Sequence, residues 1–98
     1  MKIATKKPYR LICHFNNGEV RILNVETIVD KKQKYAAKIF DEDVFGQVKV
    51  GAFGEILWEN IAEIKDYNGD MIICDYDISP ELAYAKSIPY NSAALSAF

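Results

Sequence analysis

Residues 9–25 read YRLICHFNNGEVRILNV, two apolar-rich runs on either side of the dipeptide Asn17-Gly18. Asn-Gly is the pair that most favours a two-residue type I′ hairpin turn, because both central residues of that turn take positive φ. The pattern therefore predicts an antiparallel β-hairpin. Counting outward from the turn, one face holds the pairs Phe15 with Val20 and Cys13 with Ile22, and the other holds His14 with Arg21 and Ile12 with Leu23.

The second face of this hairpin is the candidate interaction surface. Ile12, Leu23 and Val25 make it more apolar than a solvated face needs, with His14 and Arg21 near its rim. A chain of this length has few helices with which to cover both sides of a sheet. The sequence therefore predicts that this face binds another protein, and pairing with a second copy as a homodimer is the simplest case.

Weaker patterns predict the remaining strands. Val48 and Val50 alternate with a lysine, and Ile56 and Trp58 flank a leucine, across the turn-prone residues 51–54. This spacing favours a second hairpin. A further turn is expected at residues 67–70, followed by a short strand over residues 71–74.

Two short helices are indicated by their capping residues. Ser79-Pro80-Glu81 has the order of N-cap, first-turn proline and first-turn acid, which predicts a helix to about Lys86 that buries Leu82 and Tyr84. Asp41 has the position of an N-cap before a second helical segment.

These elements predict an α+β fold, with a small antiparallel sheet of four to five strands built from hairpins and two short helices. Residues 1–8 are expected to form a basic N-terminal extension, residues 9–87 a single domain, and residues 88–98 a fraying tail.

Composition is that of one globular domain. Of the 98 residues, 50% are hydrophobic and 27% are charged, and no apolar run approaches the ~18 residues that span a membrane. No apolar segment follows the basic N-terminus, so a secretion signal is not expected. The chain is expected to be cytoplasmic, with Cys13 and Cys74 kept reduced as small buried hydrophobes.

Charge is distributed unevenly along the chain. Residues 1–40 hold nine lysines or arginines against three acids, a net charge of +6, whereas residues 41–98 have a net charge of −8. A basic half could bind nucleic acid. The alternative is that the two halves interleave in one small fold and neutralise each other.

Motifs for chemistry are weak. Asp66, Asn68 and Asp70 match the start of a calcium loop, but its sixth position is Met71 rather than glycine, so a hairpin is favoured and no metal or cofactor is expected. A small nuclease or toxin-like enzyme is the rival hypothesis, and it requires His14, the chain's single histidine, to converge with Arg21 and an acid such as Asp75.

The order of these pieces resembles the small bacterial domain-of-unknown-function family numbered 2442. The resemblance covers about residues 9–87 and is carried by the first hairpin, the single Trp58 and the helix Pro80-Glu81-Leu82-Ala83-Tyr84. It implies a compact α+β domain with a regulatory or antitoxin-like role, and no catalytic residues. The sequence thus favours a non-enzymatic protein-interaction or regulatory module, with the nuclease and the nucleic-acid-binding module as alternatives.

Overall fold

The computed structural model describes residues 1–90 and shows an α+β fold, as predicted. Within this range the elements are β1 Lys2–Lys6, β2 Arg10–His14, β3 Val20–Asn24, α1 Glu42–Phe45, β4 Lys49–Val50, β5 Ile56–Lys65, β6 Met71–Ile78, α2 Pro80–Lys86 and β7 Ile88–Pro89. Single 3-10 turns at Val25–Thr27 and Ala36–Ile39 fill the link from β3 to α1. The hairpins and the two short helices are confirmed.

The strands are divided between two antiparallel sheets. The first has the order β1-β2-β3-β7 and the second the order β4-β5-β6. These are more strands than the four to five expected, because β1 and β7 come from residues assigned to the N-terminal extension and the C-terminal tail. The lysines at both ends of β1 obscure its alternation in the sequence. The rest of the predicted tail, residues 91–98, lies outside the described residues.

The loop of the first hairpin differs from the predicted turn. The Gly18 N–H donates to Phe15 O at 3.0 Å, and the Phe15 N–H donates to Glu19 O at 2.9 Å, which encloses three loop residues. Gly18 has a φ of +89°, while Asn17 stays outside the positive region. The two-residue type I′ prediction is therefore wrong, and the loop is one residue longer, with glycine at its single left-handed position.

The longer loop shifts the strand register by one residue. Cys13 lies opposite Arg21, Ile12 opposite Ile22, and Leu11 opposite Leu23. Because side chains alternate along a strand, a shift of one residue moves every side chain of β3 to the other face.

The core lies between the two sheets. Trp58 is its largest buried side chain, and its indole Nε1 donates to Phe45 O at 3.2 Å. Removal of these apolar side chains from water is the main force that holds the two sheets together. The buried members are Leu11, Cys13, Leu23, Val25, Val29, Ala36, Ile39, Phe45, Ile56, Trp58, Ile61, Ile78 and Ala83.

Both helices begin where their capping residues predict. The Asp41 carboxylate accepts from the N–H groups of Asp43 and Val44, and the Ser79 hydroxyl accepts from the Leu82 N–H. The expected burial of Leu82 and Tyr84 is wrong: both are partly exposed, and Ala83 is the buried residue of α2. The small alanine lets this short helix approach the core closely.

The second sheet follows the predicted hairpins, but its last strand is longer than expected. β4 pairs with β5 as predicted, and the turn at residues 67–70 is present. The expected strand over residues 71–74 continues to Ile78. No helix among residues 1–90 is both long and apolar enough to cross a membrane.

Candidate functional site

The face of the first sheet that points away from the core carries a row of apolar side chains. Ala4 lies opposite Ile12, Ile12 opposite Ile22, and Ile22 opposite Ile88, so the row crosses all four strands. Ile88 is 59% exposed. Ile22 is buried, but it lies on this face of the sheet and does not pack among the core side chains. We call this surface the outer face; its members are Lys2, Ala4, Lys6, Arg10, Ile12, His14, Val20, Ile22, Asn24 and Ile88.

Positive charge flanks the apolar row. Lys6 lies opposite Arg10 on one side of it, and Lys2 lies opposite His14 on the other. None of the ten positions of the outer face holds an aspartate or a glutamate. An apolar surface with cations at its borders is complementary to a segment that is itself apolar and acidic.

The predicted interaction residues are divided between the two sides of the sheet. Ile12 and His14 lie on the outer face, as predicted. Leu23 and Val25 are fully buried in the core, and Arg21 also lies on the core side. The placement of these three on the exposed face is wrong, because it relied on the two-residue turn. Ile22 takes the position that was predicted for Leu23, and Ile88 was missed because residues 88–98 were assigned to a tail.

Arg21 ties β3 to the end of α2. Its Nε donates to Ser87 Oγ at 2.8 Å and its Nη2 to Ser87 O at 2.6 Å, while the guanidinium lies over the Tyr84 ring. Its Nη1 is 3.3 Å from a Glu19 carboxylate oxygen. The Tyr84 hydroxyl donates to the other Glu19 oxygen, and this bond lowers the pKa of Glu19 and raises the pKa of Tyr84. These contacts are structural: they fix the helix on the sheet.

The groups required by the nuclease hypothesis are not brought together in the described part of the chain. Arg21 lies on the core side of the first sheet and His14 on the opposite side. Asp75 belongs to the second sheet, where its Oδ1 accepts from the Asn60 N–H at 3.0 Å. Burial raises the pKa of the Cys13 thiol to about 11, so at neutral pH this group is a neutral thiol rather than a nucleophilic thiolate.

The residues that resemble a calcium loop form a hairpin loop. The Asp66 carboxylate accepts from the N–H groups of Asn68 and Asp70, both at 2.9 Å, and Gly69 takes the left-handed conformation. Across residues 1–90, no three side chains of histidine, cysteine, aspartate or glutamate are placed to hold a metal ion.

The far part of the β5–β6 hairpin, residues 59–77, extends beyond the core, to which it contributes Ile61 near its base, and we call it the arm. It begins at a bulge, where the register shifts between Trp58 and Ala62, and Asn60 has a φ of +58°. The bond from the Asn60 N–H to Asp75 holds this bulge in place. A bulge bends a ribbon and so sets the direction in which it leaves the sheet.

The arm exposes apolar side chains on both of its faces. Ile64 lies opposite Ile72 on one face, and Ile73 and Met71 lie on the other. All four are about half exposed, and Tyr67 at the tip is 98% exposed. A two-stranded ribbon with neither face covered is at best marginally stable in water. The arm is therefore a second candidate interaction surface, which the sequence did not reveal because Glu59, Asn60 and Glu63 interrupt its pattern.

A cavity of about 360 Å³ lies beside the turn between β1 and β2. Its lining includes Lys7, Tyr9 and Glu42, and Lys7 forms an ion pair with Glu42 at 3.5 Å. The Tyr9 hydroxyl donates to Phe40 O at 3.0 Å. The lysine and the carboxylate in this lining neutralise each other, so the cavity presents no unpaired charge from these two groups to a ligand.

A comparison of the chain with known protein families, with curated proteins and with solved structures finds no match. The two apolar surfaces that lie outside the core, the outer face and the arm, are therefore the features from which a function is proposed.

Proposed function

We propose that this chain is a non-enzymatic protein-interaction module whose outer face binds an acidic, apolar segment of a protein partner. The observation that carries the proposal is the row from Ala4 to Ile88, which is bordered by Lys2, Lys6 and Arg10 and has no acid among its members. Apolar contact would supply affinity, and the cations would select the partner and speed its approach.

Two features favour a protein over a nucleic acid as the partner. Single-stranded nucleic acids are held by aromatic side chains that stack on the bases, whereas the central positions of the outer face are isoleucines. The arm, whose residues 59–77 carry six acids and one lysine, would also repel a nucleic acid. An antitoxin-like role, as the family resemblance implies, is the case in which the partner is a toxin.

A photo-cross-linking experiment tests the proposal. Benzoylphenylalanine is placed at Ala4 or at Ile88 on the outer face, and at Phe53, which is 89% exposed but lies in the loop between β4 and β5, as the matched control. After irradiation in an extract of the source cells, we expect protein adducts from positions 4 and 88 and none of the same mass from position 53.

The charge of the outer face allows a second test of the proposal. In a chain that also carries Lys2→Glu and Lys6→Glu, the face-specific adducts should fall at least tenfold. Adducts to nucleic acid, or adducts that are identical from positions 88 and 53, contradict the proposal.

A further inference from the structure

We infer that the outer face is occupied by the arm of a second copy of this chain. The inference rests on the proposed function and names the partner that the structure fits. It depends on the complementarity of two surfaces within residues 1–90, one apolar and basic, the other apolar and acidic.

Charge is the first part of this complementarity. The arm, residues 59–77, has a net charge of −5. The outer face has Lys2, Lys6 and Arg10 and no acid. Part of the uneven charge of the sequence is thus separated in space: three cations of residues 1–40 lie on the outer face, and six acids of residues 41–98 lie on the arm. Two copies in contact through these surfaces attract each other at both ends.

One face of the arm combines apolar and acidic side chains, which is the combination that the outer face is proposed to bind. Alternate residues of a strand point to the same side, so Met71 and Ile73 share one face with Asp75 and Asp77. Glu63, opposite Ile73, adds a further acid to this face, and Lys65, opposite Met71, adds one cation near the tip. Three acids and one lysine give this face a net charge of −2. Apolar groups at the tip and acids toward the base match an apolar row with cations along its borders.

The arm is also long enough to cross the row. From position 71 to position 77 the arm is about 20 Å long, and the row of the outer face crosses three strand spacings, about 14 Å. The described residues measure 53 × 25 × 20 Å, an elongated shape that leaves the arm free to reach another molecule. When each copy places its arm on the other, two identical contacts form and the assembly closes as a two-fold dimer.

Sedimentation velocity on the full chain, from micromolar to millimolar concentration, is the first measurement. We expect a monomer–dimer equilibrium that weakens at least tenfold between low and high salt, because the flanking charges are exposed. A chain that stays monomeric over the whole range overturns the inference.

Charge reversal on each surface gives the decisive test. Lys2→Glu with Lys6→Glu makes the outer face acidic like the arm. Glu63→Lys with Asp77→Lys changes the arm face that holds Met71 and Ile73 from a net charge of −2 to +2, while Asp75 keeps its bond at the bulge. Each double variant alone should have a dissociation constant at least tenfold above that of the native chain. An equal mixture of the two should associate again, because each arm then meets a face of opposite charge.

Lys32→Glu with Lys34→Glu, at exposed positions away from both surfaces, is the matched control and should dimerise like the native chain. Circular dichroism verifies that every variant is folded. A mixture that stays monomeric, or a dimer that resists both reversals, contradicts the inference. If the native chain is monomeric and position 88 still cross-links to a different protein, the proposed function stands and the self-docking inference alone is wrong.

Discussion

At the scale of single residues, two glycines define the hairpin loops. Gly18 and Gly69 have nearly equal φ values of +89° and +88°, and each donates its N–H to the residue three positions earlier. Both loops have the same order, with asparagine before the glycine and an acid after it. The same short motif thus builds the same three-residue loop in both sheets.

Replacement of Gly18 by valine should destabilise the domain. A Cβ at this position would meet no atom within 4 Å, so the cost comes from the backbone conformation alone. Valine in the left-handed region costs about 1–2 kcal/mol, which lowers the Tm by roughly 5–15 °C. Gly18→Asn is the control and should lose less, since asparagine tolerates this region. Equal Tm values for the two variants would contradict the explanation.

The two cysteines should differ in reactivity. Cys13 is fully buried and its thiol has a pKa of about 11, whereas Cys74 is partly exposed on the arm. In a titration with a coloured disulfide reagent at neutral pH, one thiol per folded chain should react quickly and the second only after denaturation. A Cys74→Ser variant should then show no fast phase, and a fast phase that persists would show that Cys13 is accessible.

At the scale of elements, local signals in the sequence predicted the ends of helices and the places where the chain turns. Ser79-Pro80-Glu81 specified the start of α2, and Asp41 the start of α1, because a cap acts on backbone groups of its own helix. The register of the first hairpin was not predictable in this way. Asn-Gly is compatible with a two-residue and a three-residue loop, and the choice between them decides which side of β3 is buried.

The contact between β3 and α2 should make stability depend on pH. The hydrogen bond from Tyr84 lowers the pKa of Glu19, so the stabilisation it gives is present above the ordinary glutamate value of 4.5 and is lost as the pH falls through the lowered value. The Tm of the native chain should therefore exceed that of a Glu19→Gln variant at neutral pH, and the two should converge in acid.

Tyr84→Phe provides the control for this dependence. It removes the same hydrogen bond, so Glu19→Gln should have a smaller effect in a Tyr84→Phe background than in the native chain. Additive losses at neutral pH would show that the two side chains act independently.

At the scale of the whole molecule, the two sides of the first sheet should respond oppositely to the same substitution. Leu23→Glu places a charge in the core, which costs several kcal/mol of a total stability near 5–15 kcal/mol, and the chain should unfold. Ile12→Glu places the same charge on the outer face and should leave the fold intact. Circular dichroism and thermal melting distinguish the two, and a folded Leu23→Glu chain would contradict the register.

The exposed surfaces were the part of the molecule that the sequence predicted least. An apolar outer face was expected and Ile12 belongs to it. Ile22 lies on this face because of the three-residue loop, and Ile88 lies on it because β7 pairs with β3, which places Ile88 opposite Ile22, 66 residues earlier in the chain. The arm depends on a bulge at Asn60, where the strand pattern is interrupted. Both features arise from contacts between distant residues, which local patterns do not encode.

The position of Trp58 gives the molecule a built-in optical reporter. It is the chain's single tryptophan, it is 1% exposed, and its ring lies between those of Phe45 and Tyr76. Its fluorescence should be blue-shifted in the native state and move to longer wavelength when water enters the core. Because the indole is buried on the core side of the second sheet, an emission spectrum can follow folding in every variant described above.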